Sequence, residues 1–305
     1  MRKATVAIVG APMDLGAGRR GVDMGPSAVR VANIHQRLES LGYQVADLGN
    51  IEVVQPESVP KRNDTARYLL EISQSCARLA KLVEKVMSQG HFPLVLGGDH
   101  SVAAGTLAGV AKHCRKQKEK IGVIWIDAHA DMNTPGTTPS GNVHGMPLAA
   151  SLGLGPHELT HLAGFSPKVN PRNVVLIGVR DVDDAESENI RQSGVKVFTM
   201  REVDEMGMRS VMEHAIGTAT DGTDGFHLSF DMDGVDPDEA PGVGTPVRGG
   251  LTYREAHLAM ELINDSGSLA SLEIVEVNPV LDTANRTALL AVELAASALG
   301  KKILS

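Results

Sequence analysis

Eight short apolar, β-branched runs punctuate this chain, separated mostly by longer segments of helical period. The runs are Thr5–Val9, Gln44–Asp47, Pro93–Leu96, Gly122–Ile126, Val174–Gly178, Lys196–Thr199, Phe226–Phe230 and Ser271–Glu276. Helices are expected over Pro26–Leu41, Asp64–Gln89, Ser101–His113, Asp183–Ser193, Val203–Thr218, Tyr253–Asp265 and Thr283–Leu299. Strands that are apolar almost throughout must be buried on both sides. Helices between them supply the crossovers that parallel strands require. The pattern therefore predicts an α/β fold with a mostly parallel sheet and helices on both faces. No repeat, low-complexity tract or linker divides the sequence, so residues 1–305 read as a single domain.

Composition narrows the function. Hydrophobic residues make up 42% of the 305 and aromatics only 3%, so the core must be largely aliphatic. The formal net charge is −8, and the one basic stretch, Lys112 to Lys120, reads as a solvated helix end. Nucleic acid is not an expected partner. Cys76 and Cys114 form no Cys-x-x-Cys pair, which argues against thiolate metal sites and fits a reducing compartment. The opening MRKATVAIVGAPMD has too short an apolar run for a signal peptide, and no segment reaches the length of a membrane span. A soluble, cytoplasmic protein is expected.

The chemistry lies where the strands stop. PLVLGGDHS ends in Asp99 and His100, GVIWIDAHAD in Asp127, His129 and Asp131, VVLIGVRDVD in Asp181 and Asp183, FHLSFDMDG in Asp231 and Asp233, and LEIVEVNP in Glu276. In a parallel sheet these ends gather along one edge, where open α/β sheets bind ligands. Asp127, His129 and Asp131 are two apart and share one face of an extended backbone, as do Asp231 and Asp233. With His100 they offer four carboxylates and two imidazoles. Such a cluster repels itself in a low dielectric unless cations are present. Two divalent ions would remove the conflict, and a pair about 3.5–4 Å apart can lower the pKa of a shared water. The donor set suits manganese, with zinc, iron or cobalt still open. Asp99 reads as a turn carboxylate supporting His100, and His227 as a packed core residue. Taken singly, a strand-end Asp is more often a helix cap; the three motifs together argue for the dinuclear site. VGAPMDLGAG fits neither a dinucleotide-binding loop nor a P-loop.

GGDHS, DAHAD, SFDMDGVDP and EVNP, in that order, resemble the ureohydrolase family, which includes arginases and agmatinases. The likeness runs from GAPMDLGAGRRGVDMGP to the last helix, and GVDMGPSA, FPLVLGGDHS and GVGTP resemble the arginases of bacilli. The resemblance implies His100, Asp127, Asp131 and Asp231 on one manganese and Asp127, His129, Asp231 and Asp233 on the other. It implies that Asn133, Thr138, Ser140 and Asn142 surround a substrate α-carboxylate, with Asp183 and Glu186 near the α-amino group. L-Arginine is thus the implied substrate, giving L-ornithine and urea. The implied assembly is a homohexamer of trimers, or a trimer.

The expected mechanism has a metal-bridging hydroxide attack the guanidinium carbon while Glu276 holds the guanidinium by a two-pronged bond. Asp131 is expected to take the hydroxide's proton. His144 is the expected shuttle to the leaving amine, on its match to the family pattern SGN-x-HG. Thr245 is expected to orient Glu276 or its loop. Arg19 and Arg20 read equally as structural or as lining the mouth. Agmatinase or guanidinobutyrase activity is the nearest alternative; a non-catalytic binding protein and a two-metal phosphoesterase are the more distant ones.

Overall fold

In the computed structural model, which describes residues 5–60, 63–302 and 304, the apolar runs form one eight-stranded sheet. Its strands are β1 (Thr5–Ala11), β2 (Gln44–Asn50), β3 (Phe92–Gly97), β4 (Gly122–Ile126), β5 (Val174–Val179), β6 (Lys196–Thr199), β7 (Phe226–Asp231) and β8 (Leu269–Val275). All neighbours pair in parallel, in the order β2-β1-β3-β8-β7-β4-β5-β6. The central four strands, β3, β8, β7 and β4, are those whose ends carry His100, Glu276, the Asp231 pair and the Asp127 triplet.

Ten helices cover the sheet: α1 (Gly25–Val31), α2 (Ile34–Ser40), α3 (Leu69–Ser88), α4 (Ala103–Gln117), α5 (Pro147–Ser151), α6 (His157–Thr160), α7 (Asp184–Ser193), α8 (Met200–Ala219), α9 (Tyr253–Ser266) and α10 (Arg286–Ala298), counted among the described residues. The two-residue period of the strands sorts their side chains between two cores. Val6, Ile8, Ile124 and Ile126 pack with α1, α2 and α8 to α10, whereas Ala7, Val9, Val123 and Trp125 pack with α3 to α6. Where both faces are covered, as in β1, β3, β4 and β5, the strands carry no polar alternation and read as continuous apolar runs, whereas the edge strand β2 is largely exposed.

Several expected helices differ in the structure, among them the one expected from Thr283, which begins at Arg286, and the one expected to end at His113, which runs to Gln117. The helix expected over Pro26–Leu41 is two helices, because Asn33 sits at φ 65 between them, and one left-handed residue ends a right-handed helix. The helix expected from Asp64 begins at Leu69; the Asn63 side chain instead accepts from the Thr65 N–H at 2.9 Å, a local turn that competes with helix. Helix α8 starts earlier than expected, at Met200, because Thr199 and Glu202 form a capping box, and it is interrupted at Gly207.

The turn after β3 has no room for a side chain at Gly98. A Cβ there would lie 1.8 Å from the carbonyl oxygen of buried Met13. The same approach lets Asp99 N–H bond to that carbonyl at 2.7 Å, which fixes the start of the His100 turn. Gly98→Ala is expected to cost about 1–3 kcal/mol of stability, as overpacked sites do. Urea unfolding measures it; an unchanged midpoint would show that the approach is not tight.

Candidate metal centre

His100 opens a short 3-10 turn after β3. Asp99 caps that turn, accepting from Ser101 N–H at 3.0 Å and from Gly16 N–H at 2.8 Å. It is therefore a turn carboxylate, and burial together with the charge of Glu276 raises its pKa to about 6. The His100 ring stacks on Trp125 at 4.2 Å between centroids. Its Nε2 lies 2.8 Å from Ser229 Oγ, and Ser229 donates its hydroxyl proton to Glu273 Oε1 at 2.7 Å. Since a hydroxyl has one proton, Ser229 can only accept from His100 Nε2–H. The Nδ1 lone pair is thereby aimed at the cluster.

Three carboxylate oxygens meet that nitrogen. Nδ1 lies 3.0 Å from Asp127 Oδ2, 3.0 Å from Asp131 Oδ2 and 3.1 Å from Asp231 Oδ2. Neither Nδ1 nor Asp131 Oδ2 has a properly directed hydrogen bond, although both are buried. Atoms at this spacing point at a common centre rather than at one another. Held by side chains alone, the imidazole is pushed well above its ordinary pKa: burial opposes the charge, but Asp131, Asp127 and Asp231 outweigh it.

A second donor group adjoins the first. His129 Nδ1 lies 3.2 Å from Asp233 Oδ2 and 3.4 Å from Asp127 Oδ1. Within each group, His100–Asp127–Asp231 and Asp127–His129–Asp233, the donor atoms lie within 4.8 Å of one another. Asp127 belongs to both and turns Oδ2 toward His100 and Oδ1 toward His129. Trp125 Nε1 holds Oδ2 at 3.0 Å, and His129 N–H holds Oδ1 at 2.7 Å. Asp231 stands with the first group, and its Oδ1 accepts the Asp233 N–H at 2.7 Å. The second group as assembled does not include it.

The electrostatics fit divalent cations. Burial and the charges of Asp233 and Asp127 push Asp231 well above the usual carboxylate range. Asp233 is raised by burial and by Asp127, against the pull of His129. Asp127 is lowered: burial is outweighed by the adjacent imidazoles of His100 and His129. Among the described residues, no lysine or arginine lines the cleft of about 260 Å³ into which these groups face. Oxygen and imidazole donors without thiolates suit hard or borderline ions. Two site residues also sit in the left-handed region, Asp131 at φ 54 and Glu276 at φ 64, a strain of order 1–3 kcal/mol each. Backbone bonds hold both, from Ala149 N–H to Asp131 O at 3.1 Å and from Glu276 N–H to Gly98 O at 2.8 Å.

Around this cluster the cleft is divided by hydrogen-bonding character. On one wall, Thr138 Oγ1 accepts from Gly141 N–H at 3.0 Å and Ser140 Oγ accepts from Asn142 N–H at 3.1 Å. The two hydroxyls also lie 3.5 Å apart, so one can donate to the other and at least one proton remains to donate into the cleft. On the other wall stand Asp181, Asp183 and Glu186. Glu186 is raised to about 7, chiefly by burial, and accepts from Met132 N–H at 2.8 Å. Asn133 lies between the walls, donating to Asp183 at 3.2 Å. At the inner end, Glu276 Oε1 accepts from His100 N–H at 2.8 Å and lies 3.0 Å from His144 Nδ1, while its buried Oε2 has no partner among the described residues. That bond outweighs burial and raises His144 to about 9. Thr245, expected on Glu276 or its loop, donates to Asp233 Oδ2 at 2.9 Å.

Sequence reasoning missed the supporting residues. Ser229 and Glu273 face each other in register across β7 and β8, and His227 reaches Glu273 at 3.2 Å from one step back. The signal was polar residues two apart, 227, 229 and 231, inside an otherwise apolar strand. Arg180 donates to the carbonyls of Asp233 at 2.7 Å and Val247 at 2.8 Å, tying the second Asp pair's loop to the 247 turn. Arg20 is structural, donating to Asp14 at 2.6 Å and pairing with Glu57.

A family model described as the Arginase family matches residues 4–300. The chain is 55% identical over 300 residues to an arginase of Bacillus caldovelox, covering 98% of this chain and 99% of that protein. It is 52% identical over 300 residues to an arginase of Bacillus subtilis (strain 168), with the same coverage. It superposes on the solved structure of the Bacillus caldovelox arginase with a TM-score of 0.95 at 54% identity, covering 99% of this chain and 100% of that one.

Because Trp125 is the chain's one tryptophan and touches both His100 and Asp127, its emission should respond to a cation between them. Titrating manganese into metal-stripped protein is expected to change that emission until two ions are bound. In Asp127→Ala both ions should be lost, as counted by elemental analysis. A variant that still holds two would contradict the shared role of Asp127.

Proposed function

The chain belongs to the arginase family, and from that premise we propose that it hydrolyses L-arginine to L-ornithine and urea at two manganese ions. His100, Asp127, Asp131 and Asp231 would hold one ion, and Asp127, His129, Asp231 and Asp233 the other. The observation that carries this reading is the pair of donor groups sharing Asp127 beside a cleft with donors on one wall and carboxylates on the other. When bound, the two ions supply Lewis acidity that brings a water's pKa toward neutrality and offsets charge developing on the substrate.

The chain's own residues do the rest. Glu276 Oε2 is buried without a partner, and a guanidinium would satisfy it through a charge-assisted bond. Asp131, whose Oδ2 is buried at the cluster with no directed hydrogen bond among the described residues, accepts the proton released by the attacking water as the water's oxygen bonds to the guanidinium carbon. The bond between the guanidinium carbon and the chain nitrogen breaks, and the departing amine takes a proton from His144. Thr138, Ser140 and Asn142 donate to the α-carboxylate. Asp183 and Glu186 receive the α-ammonium, and Asn133, between the walls, joins the groups around the α-carboxylate. Thr245 keeps Asp233 turned toward its ion. A substrate without a carboxylate would leave the donor wall unpaired, and one without an α-amino group would leave the acidic wall unpaired. Agmatine and guanidinobutyrate each fail one of these conditions.

Residues 1–305 are read here as one catalytic domain, working in the cytoplasm as a homotrimer or a hexamer of trimers. Among the described residues, no helix is long and apolar enough to cross a membrane.

Urea release from L-arginine and from agmatine, measured side by side on manganese-loaded protein, tests the substrate. Strong release from arginine and little from agmatine is expected. The reverse preference would keep the metal chemistry and overturn the reading of the donor wall. His144→Asn is expected to keep both ions and lower kcat about 10²–10⁴-fold, the usual worth of a positioned acid. Metal loss in that variant would contradict the proton-transfer role.

A further inference from the structure

Arg67 lies just ahead of α3, outside the cleft lining, and no step above uses it. It is nonetheless tied to the donor wall at two points. Its N–H donates to Gly141 O at 2.9 Å, and its Nη1 donates to the side-chain oxygen of Asn142 at 3.1 Å. The two segments are also in close backbone contact. Gly141 has φ +72, and a Cβ there would stand 1.8 Å from the Asp64 carbonyl oxygen. Arg67 Nε is buried with no hydrogen-bond partner among the described residues.

An asparagine amide can show a ligand either its oxygen or its NH₂. A guanidinium is donor only, so beside Arg67 the oxygen must face inward and Nδ2 remains for the ligand. A Cβ at position 18 would stand 3.1 Å from that Nδ2, so Gly18 leaves the donor end uncovered. Thr138 and Ser140 already have backbone N–H groups on their hydroxyl oxygens. The two hydroxyls lie 3.5 Å apart and can share one proton between them, which leaves at least one hydroxyl proton and the Asn142 amide facing the ligand. Arg67 also sets a formal positive charge behind a cleft whose other walls are acidic.

We propose that Arg67 is a specificity-positioning residue, which locks Asn142 as a donor and places positive potential behind the wall, so that the site selects guanidino substrates bearing a carboxylate. The proposal rests on the substrate reading given above. It is tested with manganese-loaded wild-type, Arg67→Met and Arg67→Lys proteins on L-arginine and agmatine. Arg67→Met is expected to raise KM for L-arginine about tenfold or more, as loss of a charge-assisted contact does. Its kcat should stay within about twofold, its KM for agmatine should not move, and both ions should be retained. Arg67→Lys, which keeps charge and a donor, should recover part of the loss. An unchanged KM for arginine in Arg67→Met overturns the proposal, as does an equal rise for both substrates. Should Arg67→Met fail to fold, Arg67→Gln keeps a donor and removes the charge; its KM for arginine is expected to rise a few-fold, and a wild-type value overturns the proposal. If the wild-type enzyme itself does not prefer arginine, the substrate reading falls first, and the two failures are told apart by that control.

Discussion

Four aspartates and two histidines converge within a few ångströms at one edge of a parallel sheet, and among the described residues no side-chain cation lines the cleft they face. Like charges so close in a buried setting cannot all remain ionised. The protein meets this conflict only in part, by turning imidazoles toward carboxylates and by hydrogen bonds to Asp127 from Trp125 and from the His129 backbone. The rest is left standing: burial first, and then neighbouring carboxylates, hold Asp231 and Asp233 above the usual carboxylate range. A site built this way holds stored affinity for divalent cations, and the surrounding fold can be understood as the frame that keeps the carboxylates from moving apart.

That frame is the sheet itself. Strands β3, β8, β7 and β4 lie side by side and all point the same way, so four separate stretches of chain deliver their ligands to one place. The frame continues beneath the ligands. Ser229 and Glu273, paired across β7 and β8, fix which nitrogen of His100 carries the proton, and Trp125 in β4 supports both His100 and Asp127. Asp131 and Glu276 are held at positive φ by the same packing, so the site gains its geometry at a local backbone cost that the rest of the core must offset.

Much of this was legible in the sequence, for physical reasons. A strand buried on both faces leaves a nearly unbroken apolar signature, which made the central strands readable; the exposed edge strand β2 was found from Gln44 to Asp47 only and runs on to Asn50. Glu276, expected as the last residue of a strand, lies one step beyond β8 in a left-handed conformation that no propensity announces. The helix break at Asn33 was missed for the same reason. Two-residue spacing put Asp127, His129 and Asp131 on one face of an extended strand, and Asp231 with Asp233 likewise. Instead β4 ends at Ile126, Asp131 sits at positive φ and a 3-10 turn follows Asp231, so these side chains meet through turns. Spacing could not tell that Thr245 would bond Asp233, or that Arg67 would reach Asn142 from 75 residues away, because such contacts depend on how loops fold over the edge.

The most direct test of a shared two-ion centre is a crystal grown with manganese and measured at the manganese absorption edge. Two anomalous peaks are predicted, about 3.5–4 Å apart as in other paired-metal sites. One should lie beside His100 and the other beside His129, with Asp127 touching both. A single peak, or two peaks of which only one meets Asp127, would contradict the account.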